Sequence, residues 1–173
     1  MKQALLVIDM LNDFVRPGAP LEVPNARHIL PGLQARVQEA RAGGVPVVFI
    51  CDAHAADDRE FERMGWPPHA VRGSEGAQIV SELSPQPGEE VVEKTTYSGF
   101  YGTELEAVLT EMGAQELVLT GCVTNICIFY TAADAVMRGY RVRVPRQLVA
   151  DIEAVDGRFA LEQMEKVLGV MVE

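Results

Sequence analysis

Leu117-Val118-Leu119-Thr120-Gly121-Cys122-Val123-Thr124-Asn125-Ile126-Cys127-Ile128-Phe129-Tyr130-Thr131-Ala132-Ala133-Asp134-Ala135 decides how the chain folds. It opens as a short apolar, β-branched run, passes a turn containing Gly121, and resumes with the alanine-rich spacing of a buried helix. Strand, tight turn and helix follow in that order. Cys127 falls in the first helical turn, where unpaired backbone N–H groups and the positive end of the helix dipole favour a thiolate over a thiol. A sulfur there is a candidate nucleophile, and the same position equally suits a small thiol packed between helix and sheet.

The flanking sequence repeats this alternation of strand and helix. Residues 4–8 and 46–51 are continuous apolar runs that read as strands covered on both faces. Between them Ile29, Leu30, Leu33, Val37 and Ala40 fall at helical spacing over 26–42, and Gly43-Gly44 ends the run. This is a right-handed βαβ unit. Further on, the pattern predicts a short helix over 77–83, a strand over 90–92 and a helix over 103–112 with Thr103 and Glu106 as a capping box. The central helix runs to about Arg138. Beyond it come a strand over 140–144, a helix over 152–167 presenting Phe159, Ala160, Met164 and Val167 on one face, and a last strand over 168–172. Six mainly parallel strands alternating with helices make an α/β fold, a three-layer doubly wound, Rossmann-like sheet in one domain spanning 1–173. No GxGxxG follows the first strand, so the dinucleotide fingerprint is missing and no organic cofactor is expected.

Charged residues stand where these strands end. Asp9 follows the first strand, Asp52 the second and Lys94 the third, at the carboxyl edge where open α/β sheets build their sites. An acid in Asp9's place also suits a loop cap, and a lone lysine a solvated surface. Asp52 and His54 lie two apart on an extended segment and point to one side, and His69 can fold back to meet them from the next loop. One carboxylate and two imidazoles leave open coordination positions for a divalent metal, although a solvated, hydrogen-bonded loop has the same composition. Trp66, between Gly65 and two prolines, is either an aromatic wall for a flat ligand or a loop anchor, and Phe14 either lines a pocket or plugs its own loop.

Composition narrows the partners. In 173 residues the net charge is −10, which repels nucleic acid and anionic membrane surfaces, and no apolar run approaches a membrane span. Three cysteines without a CxxC spacing fit neither a disulfide framework nor a zinc ribbon, so a reducing, cytoplasmic setting is expected. Cys122 and Cys127 lie five residues apart across the turn, which disfavours a redox pair. A small molecule is the expected partner.

Taken in order, Val7-Ile8-Asp9-Met10-x-Asn12-Asp13-Phe14, Trp66-Pro67-Pro68-His69, Lys94-x-x-Tyr97-Ser98-Gly99-Phe100, Gly102-Thr103-x-Leu105 and Gly121-Cys122-Val123-Thr124-Asn125-Ile126-Cys127-Ile128 with Thr131-Ala132-x-Asp134-Ala135 resemble the isochorismatase-like cysteine hydrolase superfamily over nearly the whole chain. That superfamily includes nicotinamidases, N-carbamoylsarcosine amidases and isochorismatases. The resemblance implies a catalytic trio of Asp9, Lys94 and Cys127, with Cys127 as nucleophile and Asp9 as proton carrier. It also implies a non-proline cis peptide at Val123-Thr124 and an oxyanion hole from Val123, Thr124 and Cys127. Cys122 matches a variable position and is expected to be a packed thiol.

For the metal, the resemblance matches Asp52, His54 and His69 to the ligands of nicotinamidases, with zinc or manganese as the ion. A further family histidine falls at Asp58, whose carboxylate can also ligate such ions. Phe14, Trp66 and Tyr97 are the expected substrate walls. The short spacing from Lys94 to Tyr97-Ser98 looks more like carbamoylsarcosine amidases and isochorismatases than nicotinamidases. A nicotinamidase-like amidase acting on a small amide is thus the leading expectation. An N-carbamoylsarcosine amidase or other family hydrolase is the alternative within the mechanism, and a non-catalytic small-molecule binding module is the alternative outside it. By resemblance alone the chain is a homo-oligomer.

Overall fold

In the computed structural model, which describes residues 1–173, the strands are β1 (Gln3–Ile8), β2 (Val47–Asp52), β3 (Glu90–Lys94), β4 (Glu116–Cys122), β5 (Arg141–Val144), β6 (Val149–Ala150) and β7 (Met171–Val172). Every ladder between them is parallel. Six strands follow the order β3-β2-β1-β4-β5-β7, and β6 adds a short ladder to the end of β4. The helices are α1 (Asn12–Val15), α2 (Ala26–Ala42), α3 (Arg59–Met64), α4 (Leu105–Met112), α5 (Phe129–Met137) and α6 (Ala154–Leu168). None is long and apolar enough to cross a membrane.

Alternation along each strand decides which layer a side chain joins. From β1, Leu5 and Val7 face the side covered by Leu33, Val37 and Ala40 of α2. Leu6 and Ile8 face the other, where Leu105 and Leu109 of α4, Ala132 and Ala135 of α5, and Leu161 and Met164 of α6 close the core. Full burial of each such leucine or isoleucine stabilises the fold by about 1.5–3 kcal/mol relative to exposure. Both faces of the central strands are therefore dry, which is why they read as unbroken apolar runs.

From β1 the chain winds outward through β2 and β3, and from β4 through β5 and β7, so the order reverses between β1 and β4. A crevice opens at the carboxyl ends of strands on either side of such a reversal. Asp9 leaves β1 at that point with φ 52°, a left-handed conformation that aspartate tolerates better than most residues. Beside it, Gly121 has φ 108°, and a Cβ there would lie 2.0 Å from the Ile8 carbonyl oxygen. Only glycine lets β4 run this close to β1. The turns at Gly43-Gly44, Gly113 and Gly139, which lead from helices into β2, β4 and β5, all lie at the opposite rim.

Several expectations are corrected. The helix expected over 77–83 is a single 3-10 turn at Ser81–Leu83; upstream, the Ser74 hydroxyl accepts the Ala77 N–H and Ile79 bridges Leu11, so local side-chain and cross-chain bonds displace the helix. The last strand is confined to Met171–Val172, because Leu168 still belongs to α6 and Gly169 caps it in the left-handed region. On α6 the buried stripe is Gly157, Ala160, Leu161 and Met164, while Phe159 and Val167 are exposed. Elements that were not anticipated include β6, α1 within a segment of turn-type residues, and α3 in what reads as a loop. The cis peptide is Cys122–Val123, one bond earlier than expected, directly at the end of β4.

Candidate active site

Four strand tips and one turn meet in the crevice. Lys94, the last residue of β3, pairs in register with Asp52, the last of β2. Its Nζ lies 2.8 Å from Asp9 Oδ2 and 3.4 Å from Cys127 Sγ, and it also donates to Asp52 Oδ1. Lys94 is 1% exposed, Asp9 1% and Cys127 6%, so this is a dry cluster of one ammonium, two acids and a thiol. The Asp9 carboxylate is aimed by the backbone: its Oδ1 accepts the Asp52 N–H at 2.8 Å, which turns Oδ2 toward the lysine.

The charges set one another. Burial, with the Asp52 charge behind it, pushes the Asp9 carboxyl up to about 6, against the pull of Lys94. Burial also opposes ionisation of Asp52, but Lys94 and His54 outweigh it and hold that acid below its usual range. Lys94 stays firmly protonated despite its burial, because both acids face it. Burial drives the Cys127 thiol well above its usual range; Lys94 pulls it down and the acids push it up. The thiolate expected from the turn alone is thus opposed by burial and by the two acids, and supported by Lys94. Cys127 belongs to a wide, π-type turn, Thr124–Ile128, tied by the Val123 carbonyl, which accepts the Ile126 and Ile128 N–H groups at 3.0 and 3.2 Å.

Next to this cluster lies the histidine group. Ligand atoms of Asp52, His54 and His69 all fall within 4.8 Å of one another, and all three residues are buried. His69 Nδ1–H donates to the Pro67 carbonyl at 2.9 Å, leaving Nε2 as the free lone pair. His54 Nδ1 is bonded to Asp58 Oδ2 at 3.0 Å, and its Nε2 is buried without a hydrogen-bond partner. Such a donor set, each imidazole fixed through one nitrogen and open at the other, fits a divalent cation. Burial works against a charged His54, but Asp52, Asp58 and Glu60 outweigh it and raise its pKa to about 9.

Asp58 thus sits behind the His54 ring, where it also caps α3 by accepting the Glu60 N–H at 2.9 Å. The acid on the open side is Glu60, whose Oε2 lies 3.5 Å from His54 Nε2. Sequence reading missed Glu60; the signal was an Asp58 cap followed by an acid in the first helical turn and a glycine at Gly65.

The cleft between the two groups is narrow and is lined by Asp9, Asp52, Cys127, Val123, Ile126, Leu21, Ile152, Cys122, Glu60 and His69, together with Phe14, Trp66 and Tyr97. The three aromatic residues expected at the substrate all reach it. Phe14 and Trp66 flank the His69 ring at centroid distances of 5.6 and 5.9 Å, and Tyr97 stacks on Tyr130 at 5.5 Å. Cys122 Sγ donates to the Asp9 carbonyl at 3.2 Å and is a packed thiol. Thr124 is fully buried, and its hydroxyl has no partner.

This architecture is shared with known proteins. The isochorismatase domain model matches residues 3–173. The nicotinamidase/pyrazinamidase PncA of Bacillus subtilis is 35% identical and superposes with a TM-score of 0.93, covering 99% of both chains. The N-carbamoylsarcosine amidase of Thermoplasma acidophilum is 36% identical with a TM-score of 0.90, over 100% of this chain and 96% of that one. The pyrazinamidase of Pyrococcus horikoshii, solved in complex with zinc, is 31% identical with a TM-score of 0.92, over 100% of this chain and 99% of that one. With the isochorismatase model matched over residues 3–173 and these proteins covering the chain nearly end to end, the chain is a member of the isochorismatase family of hydrolases.

Proposed function

We propose that the chain is a cysteine-dependent amidohydrolase that cleaves the C–N bond of a small uncharged amide through a thioester, with nicotinamide, giving nicotinate and ammonia, as the leading substrate. The observation that carries this reading is Lys94 Nζ standing 3.4 Å from Cys127 Sγ and 2.8 Å from Asp9 Oδ2 in a desolvated cleft. Asp9 takes the Sγ proton as the sulfur adds to the amide carbonyl, and the carbonyl electron pair moves onto oxygen. Backbone N–H groups of Val123, Thr124 and Cys127 stabilise that oxyanion. Collapse of the adduct breaks the C–N bond, and Asp9 returns the proton to the departing nitrogen, which leaves as ammonia. Water then gives a proton to Asp9 and adds to the thioester; the C–S bond breaks, the proton goes back to sulfur, and the acid departs. Lys94 holds a positive charge beside the sulfur throughout, which lowers the cost of forming a thiolate in a dry site.

Charge favours nicotinamide over an anionic ureido acid such as N-carbamoylsarcosine. Asp9, Asp52 and Glu60 line the cleft and no arginine does, so a substrate carboxylate meets no free counterion. Phe14, Trp66 and Tyr97 offer flat apolar walls to a planar ring. Asp52, His54 and His69, with Glu60 as a further donor, would hold a divalent zinc or manganese ion, which supplies Lewis acidity toward a ring nitrogen when bound. His69→Ala is expected to lose the ion, read by metal analysis of protein purified without added metal or chelator; a full complement in the variant would remove His69 from the ligand set.

Side-by-side ammonia assays on nicotinamide, pyrazinamide and N-carbamoylsarcosine test the substrate reading. Turnover of the ureido acid above the two ring amides would overturn it. With Asp9 at about 6, kcat/KM is expected to climb about tenfold per pH unit below that value and to level off above it, because the acid must be ionised to accept the thiol proton. A flat profile through this range would exclude Asp9 as the base.

A further inference from the structure

The mechanism leaves two sequence features unused: the segment Ser98-Gly99-Phe100 after Lys94 and Tyr97, and Thr131 with Asp134 on the helix that follows Cys127. They meet. The Ser98 hydroxyl donates to Asp134 Oδ2, and the Gly99 N–H donates to Thr131 Oγ1 at 2.9 Å. Asp134 is held for this by Arg138, whose Nη1 donates to its other oxygen at 2.7 Å. Arg138 in turn reaches Glu106 of α4 at 3.1 Å and lies 4.9 Å over the Phe100 ring. Gly99 itself is wedged, since a Cβ there would meet Ile50 Cδ1 of β2 at 3.0 Å and Leu105 Cδ2 of α4 at 3.2 Å. Lys94 belongs to an edge strand bonded only to β2, whereas Cys127 lies in the turn after β4, and two strands, β2 and β1, separate β3 from β4. No single ladder joins the two strands directly.

We infer that Ser98, Thr131 and Asp134 form a latch that fixes the Lys94–Cys127 separation, acting as positioning residues for the nucleophile. The catalytic meaning of the latch rests on the amidohydrolase reading. Its geometry does not, because the latch joins the loop that follows the ammonium's strand directly to the helix that follows the sulfur's turn, at two hydrogen bonds within two residues. A charge held near a thiol acts on its acidity over only a few ångströms, so slackening this joint weakens that action.

Alkylation of Cys127 by iodoacetamide, followed over a pH series in the full chain and assigned by peptide mass, tests the proposal. Ser98→Ala and Thr131→Val are each expected to slow alkylation about tenfold at neutral pH and to displace the pH–rate curve upward by about one unit. Thr131→Ser, which keeps the hydroxyl, stays within about twofold of the parent chain. Arg41→Ala, which breaks a half-buried ion pair with Glu89 that does not line the cleft, controls for lost stability and leaves the curve in place. Unchanged curves in both latch variants, or an equal displacement in Arg41→Ala, overturn the proposal. Should Cys127 of the parent chain react no faster than Cys51, the amidohydrolase reading fails instead. The latch is then judged by crystal structures of Ser98→Ala and the parent chain, where an unchanged Nζ–Sγ distance overturns it and a longer one upholds it.

Discussion

Cys127→Ala is expected to abolish ammonia release from nicotinamide, with a loss of at least about 10⁴-fold in kcat measured by a continuous ammonia assay. No other group in the cleft can take over. Cys122 is buried, its thiol is pushed up by burial and the Asp9 charge, and its proton is committed to the Asp9 carbonyl. Cys51 is likewise driven up by desolvation and lies on β2. Water held near Asp9 has general-base help but no thioester route, which leaves a small residual rate. Turnover retained in Cys127→Ala would remove the thioester mechanism altogether. The fold should survive the change, because Cys127 is a small side chain in a turn fixed mainly by backbone bonds.

Lys94→Met is expected to cost about 3–5 kcal/mol of stability near neutral pH as well as activity, read from urea unfolding. Lys94 is the only lysine or arginine paired with Asp9 or Asp52, and both acids are buried. Without it two carboxylates face each other in a dry site, so their pKa values in the folded chain rise above the roughly 3.9 of an unfolded aspartate. The folded form then binds more protons than the unfolded form, and stability falls as pH rises through those values. The variant should therefore recover much of its deficit at about pH 5 relative to about pH 8. A deficit independent of pH would mean that the loss comes from packing of the lysine stem rather than from stranded charge.

The scaffold is legible in the sequence because its central strands are dry on both faces: Ala4 to Ile8 and Leu117 to Leu119 have no polar residue to spare, and the helices between them carry a clear apolar stripe. Residues at strand ends were legible for the same reason, since Asp9, Asp52 and Lys94 are charges where an apolar run stops. Glu60 was not, because α3 is under two turns long and owes its start to the Asp58 cap rather than to periodicity. Phe159 was misassigned because hydrophobicity alone does not say which of two apolar stripes on α6 meets the sheet; the stripe that does is Ala160, Leu161 and Met164, while Gly157 makes room for the Asp151 carboxylate, whose Oδ2 would lie 2.1 Å from a Cβ there. The opposition to a Cys127 thiolate was equally out of reach, since a helix start can be read from spacing but three-dimensional neighbours such as Asp52 cannot.

All reacting groups come from one rim of the sheet, while the glycine turns entering β2, β4 and β5 occupy the other. Grafts, tethers or length changes in those turns act on backbone some 17–20 Å away, the span of an average strand, from the place where bonds are broken. Attachment and chemistry are thereby separable in this molecule: the lower surface is free to diversify under selection for location or immobilisation, while the upper one stays committed to its substrate.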